Sequence, residues 1–143
     1  MIADDIADAW VAKLTTIRIA NGYLTDCGTR VYQGKRAIGP ENTPCAVIFE
    51  GDEKIDDGTR RAFKNTTEYV VEGFAPCDPD NPNVVARAIV ADIKRALFTG
   101  DLTVGTRVVQ MKYAGRVIGE NVAGTSFVSA RVGVHVTYAD HMV

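Results

Sequence analysis

Two apolar stripes at helical spacing, set among segments that alternate with the period of strands, restrict this chain to a few architectures. Ile2, Ile6, Trp10, Leu14 and Ile17 recur every three or four residues and line one face of a helix. Asp4, Asp5 and Asp8 stand at its start and Lys13 and Arg18 near its end, which complements the helix dipole. Asn21-Gly22 is a stop signal, because both residues tolerate the left-handed conformation that ends helices. Val85, Ile89, Ile93, Ala96 and Leu97 make the second stripe. Asn81 reads as its cap and Pro82 as its first residue, where no amide hydrogen is needed, with Thr99-Gly100 as the end. Trp10 reads as a core anchor. Asp92 interrupts the second stripe and reads as a helix-flank residue paired with Arg87 or Arg95.

The strand period rules elsewhere. Residues 30–33 are a short edge strand. Residues 44–50 are apolar on both faces, so they belong centrally in a sheet. In 67–75, Tyr69, Val71 and Ala75 face one way and Glu68 and Glu72 the other. Residues 103–113 alternate Val109, Met111 and Tyr113 against Val108, Gln110 and Lys112, and 115–119 form a short piece between glycines. The clearest strand is 127–138. It sets Val128, Ala130, Val132, Val134, Val136 and Tyr138 against Ser129, Arg131, His135 and Thr137. Two helices and about six strands with one apolar sheet face predict an α+β fold. It is a two-layer sandwich, with a mainly antiparallel or mixed sheet and both helices on one face. The other face, bearing Glu68, Arg131 and His135, is left for solvent or a partner.

Segment 51–65 stands apart. Asp52, Glu53, Lys54, Asp56, Asp57, Arg60, Arg61 and Lys64 crowd into it, and Ile55 and Phe63 are its large apolar members. It reads as the long arm of a hairpin, with too little apolar surface to order itself and therefore mobile until a neighbour meets it.

At 143 residues the chain reads as one domain spanning 1–143, large enough to bury a core without metals or disulfides. Cys27, Cys45 and Cys77 are odd in number and widely spaced, which suits reduced thiols in a cytoplasmic setting. A net charge of -2 gives no reason to expect nucleic acid or an anionic membrane as partner. No apolar run is long enough to span a bilayer, and the start lacks a secretory signal. The sequon Asn65-Thr66-Thr67 is then accidental.

Chemical motifs fail on inspection. Gly34-Lys35-Arg36 lacks the first glycine of a phosphate loop, since Thr29 stands there, and has Arg36 where Ser or Thr is required. Asp78-Pro79-Asp80 opens like a calcium loop but has Asn83 and Ile89 at the positions that need Gly and Glu, so it reads as helix capping. Gly115, Gly119 and Gly124 precede a strand and read as turns. His135 and His141, the only histidines, have no Cys or carboxylate at a zinc-like spacing. No residue is assigned a catalytic, cofactor or metal role.

Several stretches carry a likeness to a known family. They are the helix around Ile6-Ala7-Asp8-Ala9-Trp10, then Gly22-Tyr23, Arg30-Val31-Tyr32 and Thr43-Pro44-Cys45-Ala46-Val47-Ile48. The helix over 85–97 and the closing Val132-Gly133-Val134-His135-Val136-Thr137-Tyr138 complete them. In this order, with its charged arm, the chain resembles the tail terminator proteins of long-tailed bacteriophages and the neck and tail-completion proteins that share their fold. The resemblance implies a homohexameric ring that caps the tail tube, ends its polymerisation and meets the head connector. It implies a virion protein assembled in the host cytoplasm, partnered by tail-tube and connector proteins, with neither enzyme activity nor cofactor. Lys54, Arg60, Arg61, Lys64 and Arg131 are then the candidate assembly interface. The alternative from another class is a small cytoplasmic enzyme or ligand-binding domain with a pocket between helices and sheet; an adaptor for a host protein is a third.

Overall fold

The computed structural model describes residues 2–58, 62–103, 108–119 and 126–141. The first stripe forms helix α1 (Ile2–Thr15), and Ile2, Ile6, Trp10 and Leu14 are all buried. The helix ends before Asn21-Gly22. Thr15 and Thr16 donate their hydroxyls to the carbonyls of Val11 and Lys13, each at 2.6 Å, and such bonds compete with helix continuation. The chain then buries Ile17 and makes a separate turn, Ile19–Asn21, which Gly22 closes at φ +88°. The stop signal therefore ends this turn and not the helix.

Helix α2 (Pro82–Leu97) starts on Pro82 as expected. Asn81 holds the cap position but its side chain makes no capping bond. Asp78 organises the approach instead, its Oδ1 accepting from the Asp80 amide at 3.0 Å. At the far end Lys13 of α1 donates to the carbonyls of Leu97, Thr99 and Asp101, at 3.3, 3.3 and 2.7 Å. A cation is favoured at a helix C-terminus, so one lysine both ties the helices together and satisfies orphan carbonyls.

The strands are β1 (Val31–Gln33), β2 (Cys45–Gly58), β3 (Ala62–Pro76), β4 (Val108–Ile118) and β5 (Phe127–His141). They form one mixed sheet in the order β1-β2-β3-β5-β4, in which only β1 and β2 run parallel. The fold is α+β, with both helices on one sheet face: Trp10 of α1 meets Tyr69 of β3, ring centroids 4.9 Å apart. Ile89 and Ile93 of α2 lie over Gly73, where a Cβ would come within 2.4 Å of Ile89 Cγ2. Glycine lets α2 sit that close to the sheet.

Among the described residues five strands stand where about six were expected. The described parts of segments 103–113 and 115–119 join in one strand, Val108–Ile118, bent by a register shift between Tyr113 and Arg116 around Gly115 at φ +107°, and residues 104–107 lie outside the described residues. A second shift, between Val108 and Gln110, turns Val108 into the core and Val109 outward, reversing the alternation read for that pair.

The start of β2, residues 45–48, is buried on both faces as its sequence requires. Ala46 and Ile48 lie under the helices, while Cys45 and Val47 are covered on the opposite side. There Arg36 lies over the Phe49 ring at 5.4 Å and Lys35 over Tyr32 at 5.5 Å. The segment after β1 thus shelters the β1–β2 end of the outer face.

The charged arm is drawn into the sheet. β2 and β3 continue through it as paired strands, from Glu53↔Thr67 to Gly58↔Phe63. β5 follows β3 as far as Ala62↔His141, so the β3 half of the arm lies inside the sheet. Asn65 and Thr67 are buried there. Within the chain, β5 gives the β3 half of the arm a second hydrogen-bonded neighbour.

Candidate assembly interface

The outer sheet face follows from the alternation of β3 and β5 and reads as cross-strand rows. Across the strands, Glu72 stands opposite Arg131, Glu68 opposite His135, Thr66 opposite Thr137, and Lys64 opposite Ala139. β4 adds Val117 beside Arg131 and Lys112 beside His135, and β2 adds Lys54 beside Thr66. Arg131 Nε donates to Glu72 Oε2 at 2.6 Å, with the arginine side chain 57% exposed and the carboxylate only 9%. His135 Nε2 lies 3.9 Å from Glu68 Oε1, and the Thr66 and Thr137 hydroxyls bond at 2.9 Å.

Three of the five candidate interface residues therefore share one surface: Lys54, Lys64 and Arg131 all lie on the outer face. Arg60 and Arg61 lie outside the described residues. Arg131 already holds an internal partner, which the sequence did not disclose because Glu72 lies on a different strand.

The edges of the sheet are unequal in charge. Among the described residues β1 covers β2 only from Ala46 to Ile48, and no strand lies beyond β4. The uncovered part of β2 carries Glu50, Asp52, Glu53, Asp56 and Asp57 against Lys54 alone. β4 carries Lys112 and Arg116 and no carboxylate.

On the helix face an open groove of about 800 Å³ runs between the start of α2 and the loop after α1. Ile19, Leu24 and Val84 line it while 59, 64 and 60% exposed. Sequence reasoning overlooked them, although the signal was there: all three are large apolar residues that fall off both helical stripes. One wall is fixed by Asp92. Its Oδ2 accepts from the Thr25 amide and hydroxyl, each at 2.7 Å, and its Oδ1 from the Leu24 amide at 3.0 Å. Arg95 donates to the Gly22 carbonyl at 2.9 Å and stacks over Tyr23 at 4.3 Å. The expected Asp92 pairing with Arg87 or Arg95 gives way to loop pinning: buried, a carboxylate is best satisfied by several donors.

No thiol here has the makings of a nucleophile. Burial pushes the Cys27 thiol up to about 12 and Cys45 up to about 11, while burial and Asp78 raise Cys77. Gly34 serves as a turn residue at φ +74° after β1. Among the described residues no three His, Cys, Asp or Glu side chains gather at metal-binding distance.

The same architecture occurs in a solved assembly. A chain from the virion of a native gene transfer agent particle aligns with a TM-score of 0.52 and 17% identity, over 78% of this chain and 80% of that one. The shared property is the fold. No protein-family model matches the sequence, and no curated protein does either.

Proposed function

We propose that this chain is a structural virion protein of a tailed phage or phage-like particle, acting as a tail terminator. Copies close into a hexameric ring that caps the tail tube, ends its growth and meets the head connector. The observation that carries the reading is the fold shared with a gene transfer agent virion chain over about four-fifths of both molecules. The resemblance of the helix–strand order to tail terminators sharpens it from virion protein to terminator. The outer face supports it too, because Lys54, Lys64 and Arg131 lie on one exposed surface, suited to a partner by charge and not by a catalytic group. In this reading the protein is not an enzyme and takes no cofactor.

Light scattering coupled to size exclusion, followed by electron microscopy of the largest species, tests it. The expected result is a ring, alone or on added tail tubes. A particle that stays monomeric or dimeric at high concentration and leaves tubes uncapped overturns it.

The groove beside α2 favours a second reading, in which the domain binds an apolar ligand between helix and loop. Val84→Lys would then abolish ligand binding and leave any ring intact.

A further inference from the structure

Among the described residues both edges of the sheet are open and present rows of backbone amides and carbonyls, and such rows pair with other strands unless something prevents it. Charged side chains are the usual prevention. On this chain the two edges carry opposite signs, which changes what the charge does. The arm of β2, past its short contact with β1, holds five carboxylates and one lysine. Across the sheet β4 holds Lys112 and Arg116, both exposed, and no carboxylate. Like edges repel: β2 against β2 and β4 against β4 each set one sign against itself. Only the unlike pair attracts.

We infer that the β2 arm edge of one copy pairs with the β4 edge of a second copy, extending the sheet from subunit to subunit. This rests on the ring reading above and names the surface that closes it. Because the two edges differ, the contact is head to tail, the class that generates rings or open filaments and excludes a two-fold dimer. Exposed apolar side chains lie on both strands, Ile55 at 64% on β2 and Val109 and Val117 at 60 and 59% on β4, and pairing would shelter them. The register shifts within β2 and β4 break each edge into short stretches, such as 53–55 on β2 and 110–113 on β4. Pairing would be made stretch by stretch, and the charges would select the partner. The cationic candidate Lys64 stands on β3, away from both edges, and remains for a different partner, while Lys54 is the one cation of the β2 edge.

Charge reversal tests the inference. Lys112→Glu/Arg116→Glu makes both edges acidic, and Asp52→Lys/Asp56→Lys shifts the acidic edge toward basic. Unaltered protein should gain mass with concentration in light scattering, less so at high salt. Each reversed variant alone should bind itself at least about tenfold more weakly. Mixing the two variants, or combining all four changes in one chain, should restore assembly. The neutral Lys112→Gln/Arg116→Gln variant, with melting temperature as a folding control, covers the case in which a reversed chain fails to fold. If single-edge variants assemble like unaltered protein, the ring closes elsewhere and the edge contact is wrong while the ring reading stands. If they fail and the mixture does not recover, the edges do not act as a pair and the inference falls. If unaltered protein never assembles, with or without tubes, both readings fall together.

Discussion

Asp92 and Thr25 are joined twice, the carboxylate Oδ2 accepting the threonine amide and hydroxyl at 2.7 Å each across 67 residues of sequence. The pair fastens the loop after α1 to the flank of α2. Removing the carboxylate leaves two buried donors without an acceptor. Asp92→Ala should cost about 2–4 kcal/mol, and Thr25→Val about 1 kcal/mol, in urea unfolding. An Asp92→Ala midpoint equal to that of the parent would show that water replaces the carboxylate.

Trp10 is 1% exposed and meets Tyr69 at an interplanar angle of 54°. Trp10→Ala should cost about 3–5 kcal/mol by equilibrium unfolding. A double-mutant cycle with Tyr69→Leu should return a coupling of about 0.5–1.5 kcal/mol for the ring pair.

Gly28 lies against the end of α1, where a Cβ would stand 2.5–2.7 Å from the carbonyl oxygens of Leu14, Thr15 and Ile17. Backbone carbonyls cannot step aside as a flexible side chain can. Gly28→Ala should therefore destabilise by about 1–3 kcal/mol, whereas Gly34→Ala, with open space beside it, should cost about 1 kcal/mol for its positive φ alone. Thermal melts of the two variants check the ranking.

The buried thiols make stability fall in alkali. Cys27 and Cys45 ionise near 9.0 when unfolded but only at about 12 and about 11 when folded. Between those values the unfolded chain has lost protons the folded one keeps, so stability is full below pH 9.0 and declines as pH rises toward 11. Replacing both cysteines by alanine should flatten that decline in unfolding measured from pH 8 to 10.5. In a native thiol titration Cys77 should react first, being the one cysteine that is not buried.

Much of this was legible in the sequence because it is local. The stripe from Ile2 to Ile17 and the alternation from Val128 to Tyr138 each report their own burial through spacing alone. What escaped depends on partners distant in sequence. Asp92 looked like a flank residue because its donors lie on another loop. The pairing of residues 62–65 was not legible because their partners on β5, residues 138–141, come more than 70 residues later. β4 read as two strands because Gly115 signals a turn equally well when it makes a bulge. Of the candidate interface, the polar face was legible from alternation, while the unlike charges of the two edges became meaningful only once the strand order was known.

Shortening the hairpin between Glu53 and Thr67 to a two-residue turn should accordingly lower the melting temperature. The cut removes the partners of β5 from Thr137 onward. Its border residues also hold Tyr138, whose hydroxyl donates to Glu53 at 2.5 Å and lies 3.2 Å from Thr67 Oγ1. Differential scanning calorimetry measures the loss.

The uninterrupted ladder between β3 and β5, from Ala62↔His141 to Pro76↔Phe127, also sets how the subunit would bear load. A pull on Ala62 along the strand stresses this ladder in shear, so its hydrogen bonds resist together instead of unzipping one at a time. The Ala62 end of this ladder is thus mechanically continuous with the sheet beneath both helices, and force applied there is delivered to the core as a displacement of the whole subunit.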